Sequence, residues 1–208
     1  MYFCQYQFFM KKAELTRHTI LIKGFGLIYS KGYNSSSIDE IINTTGVTKG
    51  AFYYHFKNKQ EMGIAIINEI IKPKMETIFI TPLERLENPT NDIYQIINAL
   101  LFKDSFLKVE YGCPLSNLAQ EMSHNEAFSR AIKEVLIEWE TAIGESINLG
   151  IKRGAINKNV NSEQVAKFII SGYWGVRNLG KIYGSTGYKI FLKELKNYLN
   201  GLKTSLNS

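Results

Sequence analysis

Apolar residues recur every three or four positions along most of this chain, and they rarely alternate with polar residues. Such spacing places apolar side chains on one face of an α-helix, whereas a half-buried strand requires alternation. Leu21, Phe25 and Ile28 mark the first face, in a helix predicted to end at Gly32. The longest face runs from Phe128 to Ile151. The pattern therefore predicts an all-α protein.

Start and stop signals divide the first third of the chain into short helices. Ser37 followed by Glu40 forms a capping box, in which a hydroxyl and a carboxylate satisfy free backbone N–H groups. Gly46 ends that helix, because glycine adopts the left-handed C-terminal conformation without steric cost. A third helix is predicted from about Thr48 to Phe56, and a fourth from Lys59. Prolines are expected to separate the later helices, at positions 73, 82, 89 and 114.

Two short helices joined by a tight turn occupy the stretch from Ser37 to Phe56, which is the geometry of a helix-turn-helix. The chain has 208 residues and a formal charge of +6, and its first 72 residues hold nine basic and five acidic side chains. Between Gly46 and Gln60 there are three lysines and no acidic residue. Most of the net positive charge therefore lies in the first third of the chain, +4 of the +6, which is consistent with a surface that binds nucleic acid.

Helical spacing divides the side chains of the third helix between two faces. Phe52 and Phe56, four positions apart, are predicted to face the core. Lys49 and Tyr53 are predicted to point outward. Gly50 destabilises a helix interior by roughly 1 kcal/mol relative to alanine. Close approach of the helix backbone to a DNA groove would account for a glycine at this position.

A resemblance to the DNA-binding signature of the TetR family of bacterial repressors is carried by SIDEI at residues 37–41 and GVTKGAFYYHFKNK at residues 46–59. It implies an all-α homodimer that represses transcription by binding a palindromic operator in double-stranded DNA. The three-helix DNA-binding domain is expected at residues 11–58, and a helical effector-binding and dimerisation domain at residues 59–208. Residues 1–10 are expected to be a disordered N-terminal extension, with Met10 as an alternative start.

The resemblance also implies which side chains contact DNA. The major-groove group comprises Lys49, Gly50, Ala51 and Tyr53. The phosphate group comprises Thr48, Tyr54, His55 and Lys59, and Ser37 is included as the DNA-binding residue that opens the motif. Two of these have structural alternatives: Tyr54 as a half-buried core residue, and His55 as a residue favoured at a helix C-terminus by the dipole.

The C-terminal half is rich in aromatic residues, which commonly line apolar ligand cavities. The candidate effector-site residues are Phe102, Phe106, Tyr111, Trp139, Tyr173, Trp174 and Tyr183, with Arg177 or Asn178 as polar contacts. Each has the alternative role of a core residue, since an aromatic side chain at helical spacing most often serves packing. A small-molecule effector is the ligand that this composition favours.

Cys113 is a second candidate sensor. Pro114 suits the first position of a helix, which places Cys113 at the N-cap, where the dipole lowers a thiol pKa. Burial and the nearby Glu110 would oppose that shift. The segment is similar to one in a cysteine-containing, electrophile-sensing (NemR-like) subgroup of the family, in which a helix lysine pairs with the oxidised thiol. Lys181 would be that lysine, and the alternative is that Cys113 is a small buried residue.

Small residues at Ser171, Gly172 and Gly175 predict the close approach of another helix. By the resemblance, the last two helices of each subunit form a four-helix homodimer interface. The alternative is packing within one subunit.

Other classes of protein have less support. A helical enzyme with Cys113 as nucleophile is the second function class, although the three histidines show no recognisable orienting partner. A basic interaction module without sequence specificity is the third. Cys4 and Cys113 lack metal-binding spacing, so no metal and no cofactor is predicted. No apolar run reaches the roughly 18 residues of a membrane span, and we expect a cytoplasmic protein without a membrane partner.

Overall fold

The protein is described here by a computed structural model, which covers residues 12–83 and 88–204. Within these two ranges the regular secondary structure is helical, apart from one isolated β-bridge between Ile156 and Lys203. The predicted all-α class is confirmed. The predicted extension at residues 1–10 lies outside the described residues.

The described chain forms two compact units. The first contains residues 12–72 together with residues 117–131, and the second contains residues 73–83, 88–116 and 132–204. Helix α8 (Pro114–Met122) and helix α9 (Glu126–Lys152) therefore each contribute residues to both units.

The first unit is built on helix α1 (Lys12–Lys31), followed by α2 (Ile38–Thr45), α3 (Lys49–His55) and α4 (Lys59–Ile66). The predicted apolar face of α1 is buried, and it packs against the three shorter helices. The sequence predicted the starts of α2, α3 and α4 because each carries a side-chain N-cap, at Ser37, Thr48 and Asn58.

The caps of α2 have the predicted chemistry. The Ser37 hydroxyl accepts a hydrogen bond from the Glu40 N–H at 3.1 Å, and the Glu40 carboxylate accepts one from the Ser37 N–H at 2.8 Å. Gly46 follows the helix with φ of +71°, a conformation that L side chains rarely adopt. The capping box and the glycine stop are both confirmed.

The chain stays helical from Lys59 to Leu83, so the expectation that Pro73 and Pro82 separate helices is wrong. Each proline is the second residue of a short α-helical segment, α5 (Lys72–Met75) and α6 (Thr81–Leu83), and each segment follows a π-helical one. A proline inside a helix removes one backbone hydrogen bond, and each of these prolines lies two residues after a π-helical segment, where the regular hydrogen-bond pattern has already changed. The two π-helical segments are Ile67–Ile71 and Glu76–Ile80.

The second unit contains α7 (Pro89–Phe102), most of α9, α10 (Ser162–Tyr183) and α11 (Thr186–Gly201). Its core is centred on Trp139, whose ring meets Phe79 edge-on at 4.7 Å and Tyr173 edge-on at 5.3 Å between centroids. The predicted stripe along α9 is buried from Phe128 to Ile147. None of the helices in the described ranges is long and apolar enough to cross a membrane.

Candidate nucleic-acid interface and effector site

Helices α2 and α3 form the predicted helix-turn-helix, and two buried rings anchor α3. Phe52 and Phe56 are both 0% exposed, and their centroids lie 5.9 Å apart. Thr48 caps the helix by accepting a hydrogen bond from the Ala51 N–H at 3.1 Å. Since one face of α3 is fully used in packing, the opposite face is fixed in direction and open to a partner.

The outward face of α3 carries Lys49, Gly50, Tyr53 and Tyr54. Tyr53 is 45% exposed and Tyr54 is 78% exposed, so the alternative of Tyr54 as a half-buried core residue is wrong. A Cβ placed on Gly50 would meet no atom within 4 Å. The Lys49 ammonium lies 3.3 Å from Asp39, in an ion pair so exposed that it contributes little and leaves the lysine available.

His55 lies at the end of α3 beside Arg17. Burial and the Arg17 charge hold the pKa of His55 below its usual value. The Arg17 guanidinium lies 4.7 Å from the Phe56 ring centroid and pairs with Glu69 at 2.6 Å. A lowered pKa is the opposite of what dipole stabilisation of a charged histidine would give. Burial and the Arg17 charge both favour the neutral imidazole, whose N–H could donate a hydrogen bond to a phosphate.

Lys59 begins α4, and its ammonium is directed at Tyr33. The Nζ donates to the Tyr33 carbonyl oxygen and lies 4.2 Å from the centroid of the Tyr33 ring. Burial lowers the pKa of Lys59, while the charges of Glu121 and Glu40 raise it. The lysine is thus held in one orientation at the N-terminus of a helix, where free N–H groups favour an anion.

The structure brings only part of the candidate effector set together. Trp139 and Tyr173 are each 1% exposed and touch in the core of the second unit, and the indole N–H of Trp139 has no partner among the described residues. Trp174 is half-buried, and its indole N–H also lacks a described partner. Phe106 and Tyr111 are also half-buried, whereas Phe102 is 43% exposed. Tyr183 is 69% exposed, so its expected place in an interior cavity is wrong.

Arg177 stabilises a loop of the second unit, a role that the sequence did not indicate. It is 0% exposed, and its guanidinium donates to the carbonyl of Lys108 at 2.9 Å and to the carbonyl of Gly112. The neighbouring Asn178 amide donates to the Ser116 hydroxyl at 3.0 Å. Helix α10 thereby fixes the loop that leads into α8.

Cys113 is the N-cap of α8 as predicted, but its thiol is not activated. The residue is 6% exposed, and burial raises the pKa of the thiol. The N–H groups of Ser116 and Leu115 and the charges of Arg177 and Lys181 lower it by less. Removing a thiolate from water outweighs the helix terminus, so the structure favours the alternative of Cys113 as a small buried residue.

The raised pKa of the buried Cys113 thiol gives the enzyme alternative no support, because nucleophilic attack at neutral pH needs a thiolate. Across residues 12–83 and 88–204, no group of three or more His, Cys, Asp or Glu side chains could hold a metal ion.

A groove of about 590 Å³ lies between α10 and α11. Apolar side chains are exposed on and beside it: Phe168, Leu179, Ile182, Tyr183 and Ile190. A Cβ on Gly172 would lie 2.7 Å from the Phe191 ring, so this glycine serves packing of α11 on α10 within the subunit. Gly175 has open space beside it and remains available to a helix of another subunit.

A basic recognition helix with one anchored and one exposed face defines a helix-turn-helix DNA-binding protein. Residues 20–66 match the description "Bacterial regulatory proteins, tetR family", and residues 82–189 match "Tetracyclin repressor-like, C-terminal domain". The chain belongs to the TetR family of bacterial transcriptional regulators, and the predicted family is confirmed.

Two relatives of this chain are named as transcriptional regulators. An HTH-type transcriptional regulator in the lacX 3' region of Lactococcus lactis subsp. lactis is 31% identical over 134 residues, which are 64% of this chain and 68% of that protein. The HTH-type transcriptional repressor DhaR of Mycobacterium sp. strain GP1 is 23% identical over 174 residues, or 80% of this chain and 82% of DhaR. The first relative is named as an uncharacterized HTH-type transcriptional regulator, and the second as an HTH-type transcriptional repressor.

Solved structures share the fold. A TetR-family regulator from Cytophaga hutchinsonii has a TM-score of 0.84 at 18% identity, covering 94% of this chain and 98% of that one. The reduced form of E. coli NemR has a TM-score of 0.78 at 18% identity, covering 93% of this chain and 100% of that one. At such identities the likeness concerns the fold alone, and the NemR-like subgroup is not confirmed.

Proposed function

We propose that this protein is a transcriptional repressor that binds a palindromic operator as a cytoplasmic homodimer and is released by a small-molecule effector. The observation that carries the proposal is the exposed face of α3, whose direction is fixed by the two fully buried rings of Phe52 and Phe56. The proposed domains are a DNA-binding domain at residues 11–58 and an effector-binding and dimerisation domain at residues 59–208.

The proposed major-groove contacts are Lys49, Gly50, Ala51 and Tyr53. The proposed phosphate contacts are Thr48, Tyr54, His55 and Lys59, and Ser37 is a further proposed DNA-binding residue at the start of the motif. Support for this division comes from exposure, because Lys49 and Tyr53 lie on the outward face of α3. Lys59 stands at a helix N-terminus, where a phosphate is favoured.

Dimerisation is proposed through α10 and α11, which carry exposed apolar side chains beside an open groove. A contiguous apolar surface of this kind is typical of an interface between subunits. A two-fold axis between the subunits would match the symmetry of a palindromic DNA site.

The effector is proposed to bind among the aromatic residues of the second unit, beside Trp139 and Tyr173. Residues 82–189, which contain these aromatic side chains, match the description "Tetracyclin repressor-like, C-terminal domain", and the relative DhaR is named as a repressor. An effector releases DNA only if it binds the DNA-incompetent arrangement of the dimer more tightly than the competent one.

The test begins with duplexes selected by the full-length protein from a randomised DNA pool. Fluorescence anisotropy then compares a selected duplex with a scrambled duplex of the same composition at fixed salt. A repressor is expected to prefer the selected, palindromic duplex by about 10³-fold or more. Equal affinity for the two duplexes would favour the basic interaction module instead, because phosphate contacts alone carry no sequence information.

The role of Cys113 is tested in a Cys4→Ser background, which leaves one thiol. Because burial raises the pKa of Cys113, we expect N-ethylmaleimide to react slowly and the selected duplex to stay bound. Rapid release that disappears on Cys113→Ser would instead assign sensing to this thiol. Loss of release on Lys181→Met would then support the lysine partner.

A further inference from the structure

Glu121, in α8, is bound by the backbone of the turn that precedes the helix-turn-helix. Its Oε1 accepts a hydrogen bond from the Tyr33 N–H at 3.0 Å, and its Oε2 accepts one from the Asn34 N–H at 2.7 Å. The turn is left-handed at Gly32, where φ is +99°, and a Cβ there would stand 3.2 Å from Oε1. The carboxylate therefore occupies a concave pair of N–H groups, an arrangement that favours an anion.

This turn determines where α2 begins. The Ser36 N–H donates to the Tyr33 carbonyl at 3.2 Å, and the Ser36 hydroxyl donates to the Gly32 carbonyl at 2.7 Å. Ser37, the N-cap of α2, follows immediately. Contacts that hold Tyr33 and Asn34 in place therefore also hold the start of α2. Because only a short turn separates α2 from α3, they help to fix the direction of α3 as well.

Lys59 acts on the same residue from the other side. While Glu121 accepts from the N–H of Tyr33, the Lys59 ammonium donates to the Tyr33 carbonyl and lies over its ring. Tyr33 is 5% exposed, so the Glu121 carboxylate and the Lys59 ammonium both bind a residue that is buried and held in place. Glu121, Tyr33 and Lys59 thus form one connected set that ends at a proposed phosphate contact.

Two further residues of segment 117–131, Asn125 and Phe128, contact the same part of the first unit. The Phe128 ring meets Tyr33 edge-on at 4.9 Å, and a Cβ on Gly63 would stand 2.6 Å from that ring. The Asn125 amide donates to the Gln60 side chain at 3.0 Å. These contacts hold the backbone of Glu121 in register with the turn.

We propose that Glu121 is a positioning residue for operator recognition, which holds the turn before α2 and the Lys59 ammonium in their DNA-binding arrangement. The inference rests on the proposed function. It goes beyond that function because no DNA contact is assigned to α8. A residue that acts by placement raises the affinity for the correct sequence, whereas a negative charge near DNA lowers the affinity for every sequence alike.

The test compares Glu121→Gln with the control Glu126→Gln in the full-length protein. The control removes the same charge from an exposed position on α9 in the same compact unit. Anisotropy is measured with the selected duplex and the scrambled duplex defined above. We expect the ratio of the two affinities to fall roughly tenfold in Glu121→Gln, the loss typical of a charge-assisted hydrogen bond, and to stay unchanged in Glu126→Gln.

Glu121→Asp provides a second variant if the glutamine variant does not fold. It keeps the charge, but it is one methylene shorter and cannot reach both N–H groups, so the ratio is expected to fall here too. An unchanged ratio in a folded Glu121 variant, or stronger binding to both duplexes by the same factor, would overturn the inference. If the wild-type protein does not distinguish the duplexes, the proposed function fails and this inference fails with it.

Discussion

At the scale of single residues, α3 and its C-cap combine residues that stabilise the protein with one that weakens the helix. Phe52 and Phe56 stabilise the first unit by burial, whereas Gly50 weakens the helix that they anchor. Nothing within 4 Å of a Cβ at Gly50 would prevent a larger side chain in the free protein. Packing therefore gives no reason for this glycine, whereas the proposed close approach to DNA would account for it.

Gly50→Ala is expected to raise the free energy of unfolding by about 0.5–1 kcal/mol and to weaken binding to the selected duplex. The first effect follows from helix propensity, and the second from a methyl group against the groove wall. Denaturant unfolding and anisotropy measure the two effects.

Gly26→Ala is the matched control, because Gly26 is an exposed glycine within α1 with equally open surroundings. It should stabilise the protein without changing DNA affinity. If Gly50→Ala behaved like Gly26→Ala in both measurements, the groove contact at Gly50 would be wrong.

Lys59→Ala is expected to weaken binding to the selected and scrambled duplexes by similar factors. It should also reduce the slope of log affinity against log salt by about one, since one phosphate contact is lost. Lys158→Ala, in the second unit, serves as a control for the loss of one lysine. An unchanged slope in Lys59→Ala would contradict the phosphate contact.

Tyr53→Ala should instead reduce the preference for the selected duplex over the scrambled duplex, because Tyr53 is a proposed major-groove contact.

At the scale of elements, α2 depends on its N-terminal cap because it has only eight residues. Short isolated helices are marginal in water, so tertiary contacts and caps decide whether they form. Besides the capping box, the Glu40 carboxylate pairs with Lys31 at the end of α1. One side chain thus joins two helices and caps one of them.

The cap gives a pH-dependent prediction. The pairing with Lys31 and the N–H of Ser37 lower the pKa of Glu40 from 4.5 to about 2. A carboxyl with a lowered pKa in the folded state stabilises that state above its unfolded pKa and loses this effect as the pH falls. The difference in urea midpoint between wild type and Glu40→Gln should therefore be complete above pH 4.5 and shrink toward pH 2.

Ser37→Ala should cost about 1 kcal/mol of unfolding free energy at neutral pH, the usual effect of removing a serine N-cap. Ser35→Ala, at an exposed position in the same turn, should have almost no effect. Equal effects of the two substitutions would mean that the cap does not stabilise α2.

At the scale of the whole molecule, the exposed apolar face of α10 and α11 carries the proposed homodimer, and a homodimer would present two DNA-binding domains to the operator. Ile182 and Ile190 are 78% and 66% exposed on these helices. Side chains of this size are rarely clustered on the surface of a monomer. Covering them by the same helices of a second subunit would produce a two-fold symmetric dimer.

Ile190→Lys is therefore expected to convert the homodimer to monomers in light scattering and to weaken binding to a palindromic duplex. Burying an unpaired ammonium in an apolar interface is strongly unfavourable. Ile137→Lys is the control, since Ile137 is 49% exposed on α9, away from the groove. A dimer that persists in Ile190→Lys but not in Ile137→Lys would place the interface elsewhere.

The sequence by itself determined the features that depend on residues about a turn apart. Helical periodicity predicted the buried faces of α1 and α9, and capping signals at Ser37 and Gly46 predicted both ends of α2. The burial of Phe52 and Phe56 followed from their spacing of one turn. Local rules suffice here because helix hydrogen bonds and same-face contacts join residues three or four positions apart.

Only the tertiary structure decided properties that depend on distant parts of the chain. Burial raises the pKa of Cys113 despite its N-cap position, and exposure removes Tyr183 from the interior. The Glu121 carboxylate meets the Tyr33 N–H across 88 positions of sequence. Desolvation and long-range hydrogen bonds depend on which helices pack together, and no pattern within a single helix specifies that packing.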